Sequence, residues 1–273
     1  MESIRYALVW KPPRGFLAQF PNLKAILALG AGVDPIPTDP ALPKGVPLLR
    51  LVDAGFPAQM AEYAIYAVLR FQRRMGELES LQKQARWNQL DPFFIRDFPV
   101  GVMGLGVIGT VVAQRLAAAG YAMAGWAKST KRLDGVEVFS GSKAFKGFLS
   151  RSRVVVNALP LTPQTENILD AAAFAAMPRG GYIVNVGRGA HLVDRDLIAA
   201  LDSGQLEGAM LDVFREEPLP SSHPFWHHPK IVVTPHVAAP TIASEVQVQV
   251  IENIKRLERG ESPLGLVDRD RGY

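Results

Sequence analysis

Three polar residues each follow a short apolar run, and their side chains are of the types used in acid–base chemistry. Arg188 stands between two glycines after residues 181–186, Glu217 follows residues 209–213, and His236 follows residues 231–234. An imidazole titrates near neutrality and can donate a proton to oxygen, and a neighbouring carboxylate orients it. The planar fork of an arginine matches the carboxylate of a small acid and polarises a carbonyl group. We therefore predict Arg188, Glu217 and His236 as a catalytic set for adding a hydride and a proton to a ketone, provided that the three meet in space.

Each of these residues also has an ordinary structural interpretation. Arg188 could form a surface ion pair, Glu217 could be an acid of an exposed loop, and His236 could be a hydrogen-bonded residue at the end of a strand. The chain contains no cysteine, which excludes disulfides, thiolate catalysis and cysteine-based metal sites. No spacing typical of metal ligands is present, so we predict no metal. The remaining histidines lie in loop-like contexts: His191, His223, His227 and His228.

A glycine-rich hexapeptide predicts a dinucleotide site. Residues 104–109 read G-x-G-x-x-G, directly after an apolar run and at the start of a helical pattern over 107–119. Glycines there allow a tight turn, close approach of the backbone to a pyrophosphate and close packing of helix on strand, and the helix N-terminus supplies N–H donors. A glycine-rich turn without a ligand is the alternative. The predicted cofactor-binding residues of this segment are Gly104, Gly106, Val107, Ile108 and Gly109.

The segment about 20 residues further on decides which nicotinamide cofactor is favoured. Enzymes that prefer NAD carry an acid there, which holds the ribose 2′-hydroxyl. Residues 125–132 contain no acid, and Lys128, Ser129 and Lys131 suit a 2′-phosphate instead. We predict NADP over NAD, with NADPH preferred over NADH; a solvated basic loop is the other interpretation.

Alternating apolar runs and helical patterns predict an α/β fold built on a doubly wound parallel sheet. One long amphipathic helix is expected over residues 58–82. The predicted strands are 6–10, 25–29, 46–51, 98–105, 121–126, 154–158, 181–186, 209–213 and 231–234, and the other helices are 107–119, 171–177, 194–203 and 241–259.

The bulk composition is that of an ordinary globular protein. The 273 residues are 48% hydrophobic, and the net charge is +4. The positive residues are dispersed apart from clusters at 70–74 and 128–132, so we expect no nucleic-acid partner. No run reaches the roughly 18 apolar residues of a membrane span, and the first residues are not a basic segment followed by an apolar one. We expect no membrane partner and a cytoplasmic location.

Taken together, these motifs resemble the D-2-hydroxyacid dehydrogenase family and, within it, the glyoxylate/hydroxypyruvate reductase A branch. The resemblance extends from about residue 6 to residue 273 and rests on the glycine fingerprint and five further segments: 29–34, 187–189, 211–220, 234–236 and 267–273. It implies NADPH-dependent reduction of a small 2-keto acid, glyoxylate or hydroxypyruvate, to the 2-hydroxy acid. The physiological substrate and direction are left open.

The resemblance also implies roles for individual residues. His236 is the acid/base, Glu217 its partner and Arg188 the cation that binds substrate. The implied cofactor contacts are Pro160, Val186 and Asp212, the last near the nicotinamide amide, and the implied substrate contacts are Trp10, Ala31, Gly32 and Arg188.

The family's domain plan maps onto this chain as two domains. Residues 1–56 and 241–273 form a smaller flavodoxin-like substrate domain, and residues 57–240 form a Rossmann domain with a dimerisation helix and arm. We expect a homodimer, with Trp87 of the arm either near a partner's active site or simply in dimer packing. Family members usually begin with one more βα unit, which this chain lacks; we expect a misassigned start, the alternative being a rearranged or impaired domain.

Two other functions fit parts of the sequence. A regulator or corepressor that senses NAD(P)H on the same fold would keep the cofactor site without needing a proton donor. A β-hydroxyacid dehydrogenase would share the first half but depend on a catalytic lysine in a helical domain, for which the C-terminal segment is short.

Overall fold

The computed structural model describes residues 1–34 and 36–269, which divide into two compact units. The smaller unit consists of residues 1–56 with the C-terminal part of the chain from residue 240, and the larger unit consists of residues 57–239. No helix in the described part of the chain is long and apolar enough to cross a membrane. Residues 270–273, which belong to the terminal segment named above, lie outside the described residues.

The described residues form ten strands and seven α-helices. The strands are β1 Tyr6–Val9, β2 Ala25–Ala28, β3 Leu48–Leu49, β4 Val100–Met103, β5 Met123–Ala127, β6 Val136–Ser140, β7 Val154–Asn157, β8 Gly181–Asn185, β9 Leu206–Leu211 and β10 Ile231–Val233. The helices are α1 Phe56–Gln72, α2 Met75–Lys83, α3 Val107–Ala118, α4 Phe145–Ser150, α5 Ala171–Ala176, α6 Asp194–Asp202 and α7 Ala243–Glu258.

The larger unit is built on one seven-stranded parallel sheet. Its strand order is β10-β9-β8-β7-β4-β5-β6, so the chain reverses direction across the sheet between β4 and β7. Ligands of doubly wound sheets bind beyond the carboxyl ends of the strands at such a reversal. The predicted α/β class with a doubly wound parallel sheet is confirmed. The smaller unit has its own parallel sheet, in the order β1-β2-β3.

Two apolar cores lie on the two faces of the large sheet. Successive strand residues point to opposite faces. Val154 and Val156 of β7 join the core that includes the buried side of α1 and α3, whereas Val155 joins the core that includes α5 and α6. Strands covered on both faces must be apolar throughout, which is why these segments are continuous hydrophobic runs.

The prediction of one long helix over residues 58–82 is wrong. Helix α1 ends at Gln72, Arg74 takes a left-handed conformation with φ of 55°, and α2 begins at Met75. The Gln72 carbonyl accepts the N–H of Phe93 at 3.2 Å, and its side-chain amide donates to the Phe93 carbonyl at 3.0 Å. The last residue of α1 is therefore bonded to a segment 21 residues further along the chain.

Two elements had no counterpart among the predicted ones. Strand β6 pairs with β5 at the edge of the sheet, and its residues are exposed or half-buried, so the apolar signal is weak. Helix α4 has six residues and contains Gly147, which disfavours a helix, so its helical signal is weak.

Candidate active site

The three predicted catalytic residues follow three neighbouring strands at the same edge of the sheet. Asn185 of β8 pairs with Leu211 of β9, which pairs with Val233 of β10. These residues end their strands, and parallel strands end at a common edge. Arg188, Glu217 and His236 therefore lie on adjacent loops beyond the carboxyl ends of β8, β9 and β10.

His236 and Glu217 form a hydrogen-bonded pair. His236 Nδ1 lies 2.9 Å from Glu217 Oε2, and Glu217 Oε1 accepts the backbone N–H of Phe214 at 3.0 Å. The His236 side chain is 38% exposed, so a small molecule can reach it. Because the carboxylate is at Nδ1, Nε2 is the nitrogen from which a proton can pass to a bound oxygen.

The backbone of His236 is held in an unusual conformation. Its φ is 55°, a region that residues other than glycine enter rarely and at an energetic cost. The buried Asp212 carboxylate holds the loop there, because it accepts the Val237 N–H at 2.8 Å and the Ala238 N–H at 2.9 Å. The His236 N–H also donates to the Asp212 carbonyl at 2.8 Å.

Tyr63 of α1 extends this anchor. The Thr234 hydroxyl donates its one hydrogen to Asp212 Oδ1 at 2.6 Å. The Tyr63 hydroxyl lies 2.6 Å from the Thr234 hydroxyl, and since Thr234 has no second hydrogen to give, Tyr63 is the donor of that bond. Burial raises the pKa of Tyr63, which keeps this donor protonated. Nothing in the sequence indicated a role for the hydroxyl groups of Tyr63 and Thr234. Asp212 had been expected at the cofactor, and that contact stays a prediction beside the anchoring role described here.

The Arg188 loop is packed directly on the loop that carries Glu217. A Cβ atom at Gly189 would overlap the carbonyl of Phe214 and the amide nitrogen of Arg215. The Arg215 guanidinium also donates to the carbonyls of Ala190 at 3.3 Å and Leu192 at 2.8 Å. The position of Arg188 relative to Glu217 is thus set by backbone contact.

A buried polar network under the Arg188 loop was also missed. Asn157 and Asn185 are the last residues of β7 and β8, and both bond within the network that includes His191. All three side chains are buried. An asparagine ending an otherwise apolar strand at the ligand edge was the available signal. His191 had been grouped with the loop histidines.

The glycine-rich turn has the shape that a dinucleotide requires. It lies at the end of β4, where the order of the sheet reverses. Gly104 has φ of 92°, and a Cβ there would lie 2.9 Å from the Ala158 carbonyl oxygen, whereas a Cβ at Gly109 would overlap the Gly104 carbonyl. At Gly106 a Cβ would meet nothing within 4 Å, so there is room above the N-terminus of α3. The first-turn N–H groups of Val107 and Ile108 have no acceptor within the helix and suit a diphosphate.

The basic loop after β5 lies beside this turn. Strand β5 pairs with β4, and Lys131 donates to the Leu105 carbonyl of the turn at 2.5 Å. Lys128 and Ser129 are exposed.

Two further predicted cofactor residues follow other strands: Pro160 follows β7 and Val186 follows β8. The Pro160 carbonyl accepts the Thr165 hydroxyl at 2.8 Å. The positions fit a phosphorylated dinucleotide, and each residue's contact with it stays a prediction.

The remaining predicted substrate residues belong to the smaller unit. Ala31 and Gly32 are half-buried in the turn after β2, and the Trp10 ring lies against Gly30, where a Cβ would overlap it. Trp10 is 55% exposed. The assignment of these residues to substrate binding, like the roles of the two units, stays a prediction.

Comparison with known proteins agrees with this geometry. Residues 65–238, more than half of the chain, match the NAD binding domain of D-isomer specific 2-hydroxyacid dehydrogenases. The chain belongs to the D-isomer specific 2-hydroxyacid dehydrogenase family. The expected resemblance is confirmed, including the branch: the chain is 46% identical to glyoxylate/hydroxypyruvate reductase A of Yersinia enterocolitica, over 98% of this dehydrogenase and 87% of that relative. The corresponding protein of Photorhabdus laumondii is 48% identical over the same shares.

Solved structures of the family have the same fold. A D-isomer specific 2-hydroxyacid dehydrogenase from Xanthobacter autotrophicus, in complex with NADPH and MES, is 44% identical with a TM-score of 0.96, over all of this chain and 86% of that one. An NADPH-dependent glyoxylate/hydroxypyruvate reductase from Sinorhizobium meliloti, in complex with NADP and sulfate, is 39% identical with the same TM-score, over all of this chain and 87% of that one.

Proposed function

We propose that this dehydrogenase reduces small 2-keto acids to 2-hydroxy acids with NADPH, with glyoxylate and hydroxypyruvate as its first substrates. The observation that carries the proposal is the 2.9 Å hydrogen bond between His236 Nδ1 and Glu217 Oε2. A protein that only senses a nucleotide needs no proton donor beside a carboxylate, so the pair favours the enzyme over the corepressor-like alternative. The names of the relatives, glyoxylate/hydroxypyruvate reductase A, support the same activity.

His236 holds the proton that the substrate's carbonyl oxygen receives. Glu217 stabilises the imidazolium form through Nδ1, and the proton leaves from Nε2. Arg188 binds the carboxylate of the keto acid and polarises the carbonyl group beside it. The left-handed backbone of His236, held by Asp212, sets the direction in which the imidazole points.

The cofactor is held by residues of the larger unit. The N–H groups that open α3 bind the diphosphate in the room above Gly106, and Lys128, Ser129 and Lys131 bind the 2′-phosphate. When bound, NADPH supplies the hydride for the carbonyl carbon. The basic loop and the NADPH and NADP held by two solved relatives support the use of NADP over NAD.

The test is oxidation of NADPH, followed by its near-ultraviolet absorbance, with glyoxylate and with hydroxypyruvate. We expect turnover by the unmodified chain, and a loss of about 10²-fold or more in His236→Ala, because proton transfer by a positioned side chain contributes about that factor. His227→Ala is the matched control, an exposed histidine outside the site that should retain full activity. Tight NADPH binding without turnover by the unmodified chain would instead support the sensor.

Comparing the two cofactors tests the basic loop separately. We expect a higher kcat/KM with NADPH than with NADH. Equal kcat/KM values with both cofactors would contradict the assignment of Lys128, Ser129 and Lys131 to a 2′-phosphate.

A homodimer and a cytoplasmic location complete the proposal. Helix α2 buries no residue, and after it Trp87 is 96% exposed and Phe94 is 62% exposed, so this arm offers apolar surface to a second copy of the chain. Light scattering should give the mass of a dimer, and Trp87→Ala should weaken the dimer. A monomeric unmodified chain would contradict this part of the proposal, and cell fractionation would test the location.

A further inference from the structure

The buried His191 joins two loops that the proposed function assigns to different ligands. Its Nδ1 lies 3.1 Å from the N–H of Arg188, and its Nε2 lies 3.2 Å from the carbonyl oxygen of Pro160. Arg188 belongs to the loop after β8, which is assigned to the keto acid, and Pro160 belongs to the loop after β7, which is assigned to the cofactor. The imidazole is completely buried and takes no part in the proton transfer described above.

The hydrogen bonds determine which nitrogen of His191 carries the proton. The Arg188 N–H can only donate, and the Asn157 side-chain nitrogen donates to the same Nδ1 at 2.9 Å. The orientation of the Asn157 amide follows from its oxygen, which accepts the Leu159 N–H at 3.2 Å. Nδ1 is therefore an acceptor, and the neutral ring donates Nε2–H to Pro160. A proton on Nδ1 would break both bonds at that atom.

The rest of the network leaves this arrangement little freedom. Asn185 accepts from the Asn157 side chain at 2.9 Å and from the Gly187 N–H at 3.2 Å, and its own amide donates to the Arg188 carbonyl at 3.1 Å. Both backbone polar groups of Arg188 are thus bonded to the network, so a displacement of the ring displaces Arg188. A buried network whose members are all bonded resists such displacement, because breaking one bond leaves a buried group unsatisfied.

We propose that His191 is a positioning residue shared by the cofactor loop at Pro160 and the substrate-binding Arg188, with one ring nitrogen serving each loop. This inference rests on the proposed function for the identity of the two ligands. It predicts that loss of the Nδ1 acceptor and loss of the Nε2–H donor, each by a separate substitution, have different kinetic consequences.

Two substitutions at His191 each keep one of these hydrogen-bonding groups and remove the other. An asparagine amide reaches the position of Nδ1 and a glutamine amide reaches that of Nε2. His191→Asn keeps an acceptor for Arg188 and loses the donor to Pro160, so the Kd for NADPH should rise about tenfold with little change in the KM for the keto acid. His191→Gln keeps the donor and loses the acceptor, so the KM for glyoxylate should rise about tenfold with little change in the Kd for NADPH.

The experiment measures the Kd for NADPH by fluorescence titration and the steady-state constants with glyoxylate for both variants. His227→Asn and His227→Gln are the matched controls at an exposed position. A rise in the Kd for NADPH confined to His191→Asn, together with a rise in the KM for glyoxylate confined to His191→Gln, supports this shared role. The inference is overturned if both variants change the Kd for NADPH and the KM for glyoxylate equally, as lost stability would, or if neither constant changes. Inactivity of the unmodified chain would count against the proposed function, and the NADPH titrations would still test the Pro160 half.

A measurement on the unmodified chain avoids dependence on folded variants. Nitrogen-15 NMR of histidine-labelled protein should show His191 as the neutral Nε2–H tautomer, and its ring signals should shift on addition of NADPH alone and of oxalate alone, an unreactive dicarboxylate. A charged ring, a proton on Nδ1, or signals that respond to neither ligand would overturn the inference.

Discussion

Substitution of Gly189 by alanine tests whether backbone contact between two loops sets the catalytic geometry. The added Cβ would overlap the carbonyl carbon of Phe214 and the N of Arg215, well inside the 3.4 Å at which ordinary contact begins. Backbone atoms cannot rotate away as a side chain can, so the Arg188 loop must move from the Glu217 loop by about 1 Å or more. A displacement of about 1 Å at a reacting centre costs about 10² in rate.

We therefore expect kcat/KM for glyoxylate to fall about 10²-fold in Gly189→Ala, equal to about 2.7 kcal/mol of transition-state stabilisation. Overpacking should also lower the free energy of unfolding by about 1 to 3 kcal/mol, so activity must be measured where circular dichroism shows the variant to be folded. NADPH should still bind, because the glycine-rich turn assigned to its diphosphate follows a different strand.

Gly147→Ala is the matched control for this substitution. Gly147 lies in α4, where a Cβ would meet its nearest neighbour, Phe139, at an ordinary 3.5 Å. Alanine is favoured over glycine in a helix, so this variant should be fully active and slightly more stable. If Gly189→Ala kept the kcat/KM of the unmodified chain while folded, backbone contact between the two loops would not control the geometry of the site.

Three further predictions concern the proton donor, the cofactor and the stability of the fold. Glu217→Gln should lower kcat about 10²-fold because the imidazolium loses its carboxylate, with the Kd for NADPH unchanged in fluorescence titrations; an unchanged kcat would remove Glu217 from the mechanism. Lys131→Ala should raise the KM for NADPH but not that for NADH, measured by steady-state kinetics, because only NADPH carries the 2′-phosphate; equal effects on both would point to a loss of the turn bonded to Lys131 instead. Burial raises the pKa of Tyr182 from about 10 to about 12, so the stability this tyrosine contributes is fully present below about pH 10 and is lost as the pH rises towards 12. Urea unfolding between these pH values should show a shallower decline in Tyr182→Phe, and an identical decline would contradict the burial argument.

Several features of this dehydrogenase could be predicted from the sequence because they are local. The glycine-rich turn joins a strand and a helix that are contiguous in the chain, and its positions at Gly104, Gly106 and Gly109 each answer a requirement of that turn. Arg188 and His236 each lie within three residues of the end of a predicted strand. The parallel-sheet pattern was therefore enough to place them at one edge of the sheet. The absence of an acid in residues 125–132 likewise needs no tertiary information.

Only the tertiary structure decided which distant residues hold these groups in place. Tyr63 and Thr234 bond across 171 positions of sequence, and Asn157 and His191 across 34. Phe93 bonds to Gln72, the last residue of α1, although 21 positions of sequence separate them. Periodicity and motif spacing report which face of an element is buried, whereas hydrogen-bond partners depend on how separate elements pack. The sequence by itself therefore determined the fold class and the candidate chemistry, and packing determined the support that orients His236 and Arg188.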